Sequence, residues 1–350
     1  MSSLIGVVTN PHAGKNRRRG DRRSELERAV GRHGLVRQTK DLDELRAVLH
    51  EFFEAGCDHW VSDGGDGTLH WLLTIGWQVA CERMGQGARL PRVVPANGGS
   101  VDFVAHKAGI RGGAPDVLRE LRQMIERGTK PETIGLDTLR LRGRYLTPPA
   151  EGSDHFERLG FASAIGGVAQ RLFEKLYALG PVDSRTIVST LANSVGGVLA
   201  NSAPRPLRVF VPDSLRAFGD EVFEPTRAQV EMDGQPLAYD DFASLQVGSI
   251  DINLGGVVRT FRHAAASGVM HAQAISMSPL GVAANLPNIV LGTPIWGDRV
   301  YDAPTRHLRA VAPAGRSLDP VIDGELFYGL RELEVEAGPR LEIPAVCQAS

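Results

Sequence analysis

The sequence predicts an α/β N-terminal domain built on a doubly wound parallel sheet, followed by a β-sandwich-like domain with a few helices. Three observations carry this. In the N-terminal part, short apolar runs alternate with stretches of helical period. Beyond Lys130–Pro131 the apolar period becomes two, as in half-buried antiparallel strands. The glycine-rich stretches of the first part each fall where an apolar run stops. A chain of 350 residues holds two domains of ordinary size, here 1–131 and 132–350, and the last residues have the option of packing back on the first domain.

The elements follow in order. "SLIGVVTN" is a buried strand and residues 21–32, "DRRSELERAVGR", are an amphipathic helix. "LVRQTK" is a second strand. In "DLDELRAVLHEFFEAG" Asp41 or Asp43 caps a helix. Leu45, Val48, Leu49, Phe52 and Phe53 form its apolar face and Gly56 ends it. "CDHWVSDGG" is a strand, "TLHWLLTIGWQVACERM" a helix, and "PRVVPANGG" a fourth strand. "APDVLRELRQMIERG" is a helix with Pro115 near its start and Gly128 past its end. Period-two runs then recur at "TIGLDTLRLRGRYLT", "PLRVFVP", "AQVEMDGQPL", "FASLQVGSI", "HAQAISM", "RHLRAVAP" and "ELEVEA". Helical patterns interrupt them at about 166–179 and 184–203.

Composition narrows the function. Net charge is −2, with no basic excess for nucleic acid. Cys57, Cys81 and Cys347 form no paired motif, so a reduced, cytoplasmic protein is expected. Residues 272–297 carry no charge, but Pro279, Pro287 and Pro294 argue against a membrane-spanning helix.

The chemistry concentrates in the bend "SDGGDGT", between a strand and a helix. Ligands bind at the carboxyl edge of an open parallel sheet, and a helix N-terminus suits phosphate. Glycines admit a phosphate to the backbone and allow positive φ. Asp66 adds a carboxylate able to hold Mg²⁺ or accept a proton. A tight turn with an aspartate cap is the alternative reading of one such bend. Two further loops converge on the same edge: "TNPHAGKNRRR", with Lys15 and Arg17 to Arg19, and "PANGGSVDF". A solvated basic loop is the alternative for the first.

"NPHAGK", Thr39, "GGDGT", "PANGGSVDF", Leu136–Asp137 and "IDGE" at Ile322–Glu325 together resemble the diacylglycerol kinase catalytic family, which includes bacterial soluble lipid kinases and sphingosine kinases. "GGDGT" alone is shared with NAD kinases. The resemblance implies an ATP- and Mg²⁺-dependent kinase acting on a hydroxyl of a lipid or lipid-like acceptor. ATP would lie along Asn10, Pro11, Gly14, Lys15, Thr39, Gly64, Gly65, Asp66, Gly67, Thr68, Gly99 and Ser100. Asp66, Asp137 and Glu325 would be the catalytic carboxylates, with Asp66 nearest the metal. A strand-end turn for Asp137 and a hairpin turn for "DGE" are the alternatives on the residues alone.

The sequence departs from the family pattern at Ala13, His70, Trp71, Gly99 and Val101. Ser267 and His271 stand where bacterial lipid kinases carry acids that help hold a structural Mg²⁺. Two other functions remain: a NAD kinase-like enzyme, disfavoured by the missing Thr-Gly-Ser-Thr-Ala-Tyr-type segment, and a non-catalytic nucleotide- or lipid-binding member. The implied partners are the lipid acceptor, a transiently contacted membrane surface and a second copy in a homodimer, with no nucleic acid.

Overall fold

The computed structural model describes residues 3–11, 13, 16, 22–99, 101–149, 153–178, 189–190, 192–194, 196–198, 201, 212–254, 258–264 and 266–347. The chain divides into two compact units, Met1–Thr138 with Pro339–Ser350, and Leu139–Gly338.

The first unit carries a parallel sheet of order β2-β1-β3-β4, made of β1 (Leu4–Thr9), β2 (Gly34–Gln38), β3 (Cys57–Gly64) and β4 (Arg92–Asn97). The centres of these strands are apolar because a parallel sheet is covered on both faces. Ile5, Val7, Trp60, Val61, Val93 and Val94 are all 0% exposed. Among the described residues five α-helices accompany them: α1 (Arg22–Val30), α2 (Leu42–Glu54), α3 (Asp66–Met84), α4 (Phe103–Lys107) and α5 (Ala114–Glu126).

Helix boundaries follow local chemistry. Asp41 is the α2 cap, accepting from Glu44 N at 2.8 Å, and Gly56 ends the helix at φ +72°. Leu45, Leu49 and Phe52 are buried, while Val48 and Phe53 lie half-buried at the margin of that face. Pro115 sits in the first turn of α5 and Gly128 follows it at φ +67°. Helix α3 starts at Asp66, two residues before the expected start at Thr68, so Asp66 belongs to its first turn. The α4 helix was not expected, since five residues are too few to show a helical period.

The second unit is mostly antiparallel. One six-stranded sheet has the order β10-β9-β17-β20-β5-β6 and another β16-β15-β12-β7-β18-β19. In chain order the strands are β5 (Thr133–Tyr145), β6 (His155–Gly160), β7 (Ala162–Gly167), β8 (Thr226–Arg227), β9 (Gln229–Met232), β10 (Gln235–Pro236), β11 (Asp241–Phe242), β12 (Ser244–Gly248), β13 (Ile252–Leu254), β14 (Val258–Thr260), β15 (Met270–Ile275), β16 (Val300–Thr305), β17 (His307–Val311), β18 (Val321–Ile322), β19 (Glu325–Leu326) and β20 (Leu330–Pro344). Strands β8 with β11, and β13 with β14, form two-stranded pairs. Phe156, Phe161, Phe242, Leu245, Val247 and Leu308 supply the core. The expected helix at 166–179 spans Val168–Ala178. The strand expected at "PLRVFVP" and most of the helical run at 184–203 lie outside the described residues.

The uncharged segment 272–297 holds two six-residue helices, Pro279–Ala284 and Leu286–Leu291. Pro279 and Pro287 sit in their first turns, where a missing N–H costs nothing. The prolines that argue against one long helix thus start two short ones. Among the described residues no helix is long and apolar enough to cross a membrane.

Candidate functional site

The parallel sheet delivers four loops to one edge. Asn10 follows β1, Thr39 follows β2, Gly65 follows β3 and Gly98 follows β4. Three of these loops are tied together. Asn10 N donates to Asp63 O at 3.1 Å and Asn10 Nδ2 to Thr68 Oγ1 at 3.2 Å. Buried Asn16 reaches back with its Nδ2 to Asn10 O and Asp63 O, both at 3.1 Å. Across the sheet, Gly98 N donates to Gly64 O at 3.2 Å.

Asp66 is the first residue of a 19-residue helix, with Gly65 as its N-cap. An acid in that turn meets the positive end of the helix dipole. The Asp66 side chain is also held from the third loop, where Phe103 N donates to Oδ2 at 3.3 Å. Asp102 shapes that third loop. It is 3% exposed, takes φ +52°, and accepts from Gly99 N at 2.8 Å through Oδ1. The site therefore presents a half-buried carboxylate at a helix N-terminus, between the bend after β3 and the loop after β4.

The glycines have a different reason from the one the sequence suggests. Gly65 has φ −89°, and neither loop's glycines adopt positive φ. Instead, a Cβ on Gly99 would lie 2.5 Å from Gly65 Cα, and one on Gly98 would lie 2.8 Å from Gly64 O. A Cβ on Gly64 would strike Thr68 Oγ1 at 2.3 Å. The two bends pack backbone against backbone, and only glycine permits that approach.

The other aspartate of the bend, Asp63, is fully buried. Its carboxylate accepts from Thr9 Oγ1 at 2.7 Å, from Arg22 Nε at 2.9 Å and from Arg22 Nη2 at 2.6 Å. Burial pulls the Arg22 pKa down, but its pairing with Asp63 and Glu25 outweighs this and leaves it above the ordinary value. Sequence reasoning missed Arg22, Asp63, Asn16 and the α4 cap Asp102. The available signal was an acid, Asp63, directly after the buried run Trp60 to Ser62.

The remaining expected residues fall as follows. Asn10, Gly64, Gly65, Asp66, Thr68 and Gly99 are brought together, and Gly67 lies in the first turn of α3. Pro11 follows Asn10, and Thr39 stands at the same edge. Gly14, Lys15 and Ser100 lie outside the described residues, as do Arg17 to Arg19. Asp137 lies in the opening residues of β5, Thr133–Thr138, which belong to the first unit while the rest of the strand belongs to the second. It is 8% exposed, and Arg340 Nη1 donates to its Oδ1 at 2.7 Å. Gly135 makes room for this, since a Cβ there would lie 2.4 Å from Arg340 Nε.

Glu325 belongs to the second unit, opposite Ile322 in the β18–β19 hairpin. Asp323 and Gly324 form the turn at φ +49° and +89°, so Asp-Gly does make a hairpin here. Asp323 pins the turn by accepting from Phe161 N and Ala162 N, each at 2.9 Å.

Of the residues that depart from the family pattern, His70 is buried in α3 with its ring edge-on to Trp71. His271 is fully buried and its Nε2 lies 2.7 Å from Asp302 Oδ1. Burial raises the Asp302 pKa, but hydrogen bonds from His271, Gln273 and Arg262 more than reverse this and hold it well below the carboxylate range.

No group of three or more His, Cys, Asp or Glu among the described residues could hold a metal. A Mg²⁺ brought in by nucleotide asks less of the protein, because phosphates and water supply most of its ligands beside one or two carboxylates. Asp66 at the loop-lined edge fits that second demand.

No protein-family model matches the chain, and no curated protein matches it in sequence. Solved structures do match. A Bacillus anthracis str. Sterne protein assigned as a diacylglycerol kinase superposes with a TM-score of 0.59 at 15% identity, over 96% of this chain and 95% of that one. A second structure so assigned, from the same organism, gives 0.58 at 14% identity over 96% and 94%. A diacylglycerol kinase from that organism gives 0.55 at 12% identity over 98% and 96%. The chain has a kinase-like fold, the one seen in these diacylglycerol kinase structures.

Proposed function

We propose that this protein transfers the γ-phosphoryl group of Mg²⁺–ATP to a hydroxyl of a lipid or lipid-like acceptor. The observation that carries the reading is the position of Asp66: first turn of a long helix, carboxyl edge of a parallel sheet, between the bend after β3 and the loop after β4. Phosphoryl transfer asks mainly for positioning and charge neutralisation. The helix N-terminus and loop N–H groups favour phosphate oxygens. Bound Mg²⁺ would neutralise phosphate charge, with Asp66 as its protein ligand. We also assign Asp66 the acceptor's proton. Asp137 is engaged by Arg340, and we assign it an electrostatic role rather than that of the base. The diacylglycerol kinase structures support a lipid over another alcohol as acceptor only through their shared fold.

The test is a labelled-ATP assay of the full chain against diacylglycerol, sphingoid base, ceramide and NAD, with Mg²⁺ present. Label is expected in a lipid. Transfer to NAD alone rejects the lipid acceptor, and nucleotide binding with no labelled product rejects catalysis.

A further inference from the structure

Asp63 stands three residues before Asp66, yet it faces away from any substrate. Its carboxylate is 0% exposed, and its partners come from both ends of the first loop. Thr9, the last residue of β1, binds Oδ2 before the loop begins. Arg22, the first residue of α1, binds both oxygens after the loop ends, through Nε and Nη2. The backbone carbonyl of the same Asp63 accepts from Asn10 N and from Asn16 Nδ2 within the loop. Asn10 then reaches Thr68 in the first turn of α3, the turn that carries Asp66. One residue therefore closes the first loop at its base and joins it to the bend of β3.

A β-strand residue needs none of this to pair in a sheet, and burying an ion pair is rarely the most stable solution. Apolar residues of similar size often do as well or better. We infer that Arg22 and Asp63 are positioning residues: their buried ion pair sets Asn10 and Asn16 of the first loop against the Gly64–Asp66 bend, so that these residues and the bend meet a ligand in one fixed geometry. The ligand is a nucleotide triphosphate if the proposed function holds. The coupling of the two loops is independent of that reading.

The experiment compares the full wild-type chain with Asp63→Asn, Arg22→Lys and the double variant Arg22→Met/Asp63→Leu. Asp63→Asn strands the buried Arg22 charge and can unfold the unit, whereas Arg22→Lys keeps the charge and loses the fork that meets both Asp63 oxygens. The double variant removes both charges together and is expected to keep its melting temperature close to wild type. Amide exchange of the apo chains then reads the coupling. In the double variant, peptides covering residues 9–16 and 64–70 are expected to exchange about tenfold faster or more, while β4 is unchanged. Wild-type exchange in both peptides overturns the inference, as does acceleration confined to α1. Titration with a non-hydrolysable ATP analogue is the second arm. The double variant is expected to bind at least about tenfold more weakly, because small misplacements of binding groups are costly. Undiminished affinity overturns the positioning role. A wild-type chain that binds no ATP analogue sinks the nucleotide reading alone, and the exchange arm still decides the coupling.

Discussion

Asp63 and Asp66 occupy the same short bend and have opposite surroundings. Asp63 is buried beneath Arg22 and Thr9, whereas Asp66 opens a helix and is half-buried beside Phe103 N. Of the two, only Asp66 is exposed to solvent at all. Asp66→Asn keeps the size of the side chain and its capacity to accept from Phe103 N, so the fold is expected to survive. It removes the charge and the proton acceptor, and turnover is expected to fall by about 10²- to 10⁴-fold. Steady-state kinetics beside a thermal melt check this: unchanged turnover would remove Asp66 from the chemistry. The position of Asp66 was legible in the sequence because a glycine bend between strand and helix has one edge to occupy. The role of Asp63 was not. Its partner Arg22 is 41 residues away, and nothing local marks which of two nearby acids will be buried.

At the scale of elements, the glycine bends matter as packing devices. Gly99→Ala would place a methyl 2.5 Å from Gly65 Cα, where backbone must move to admit it. The expected cost is about 1–3 kcal/mol, in the range of overpacking elsewhere. Gly87→Ala is the matched control, since its Cβ would meet nothing within 4 Å, and it is expected to be near neutral. Urea unfolding followed by tryptophan fluorescence reads both, because Trp60, Trp71 and Trp77 lie in the first unit. Equal stabilities would show that the two bends part readily. The alternation of strand and helix in this unit was legible because its elements, the five-residue α4 apart, are long enough to show their period. The second unit was legible only as a series of antiparallel strands. Pairs such as β18–β19 and β8–β11 are two residues per strand, too short for any period, and the order β16-β15-β12-β7-β18-β19 depends on contacts remote in sequence.

Over the whole molecule, the first unit is assembled from both ends of the chain. Residues Pro339–Ser350 return to it after the second unit is complete. Leu341, Ile343 and Val346 bury their side chains there, and Arg340 reaches Asp137. Cys347 ends the docked stretch: its N–H donates to Glu120 Oε2 at 2.8 Å, its Sγ lies 3.2 Å from the same oxygen, and its carbonyl accepts from Arg111 N. Burial, then the hydrogen bond and negative charge of Glu120, push the Cys347 thiol up to about 12. The thiolate is the reactive form, so at pH 8 the docked cysteine is expected to react with a thiol reagent about 10³-fold more slowly than an ordinary cysteine. Undocking the tail removes both causes and restores ordinary reactivity. The modification rate of Cys347, read by mass spectrometry across increasing urea, thus reports the closing of the first unit. If docking of the tail belongs to that unit's folding, the rate rises only with the change in the first unit's tryptophan fluorescence. Rapid modification of the native chain at pH 8 would mean that the tail is not held by Glu120 in solution.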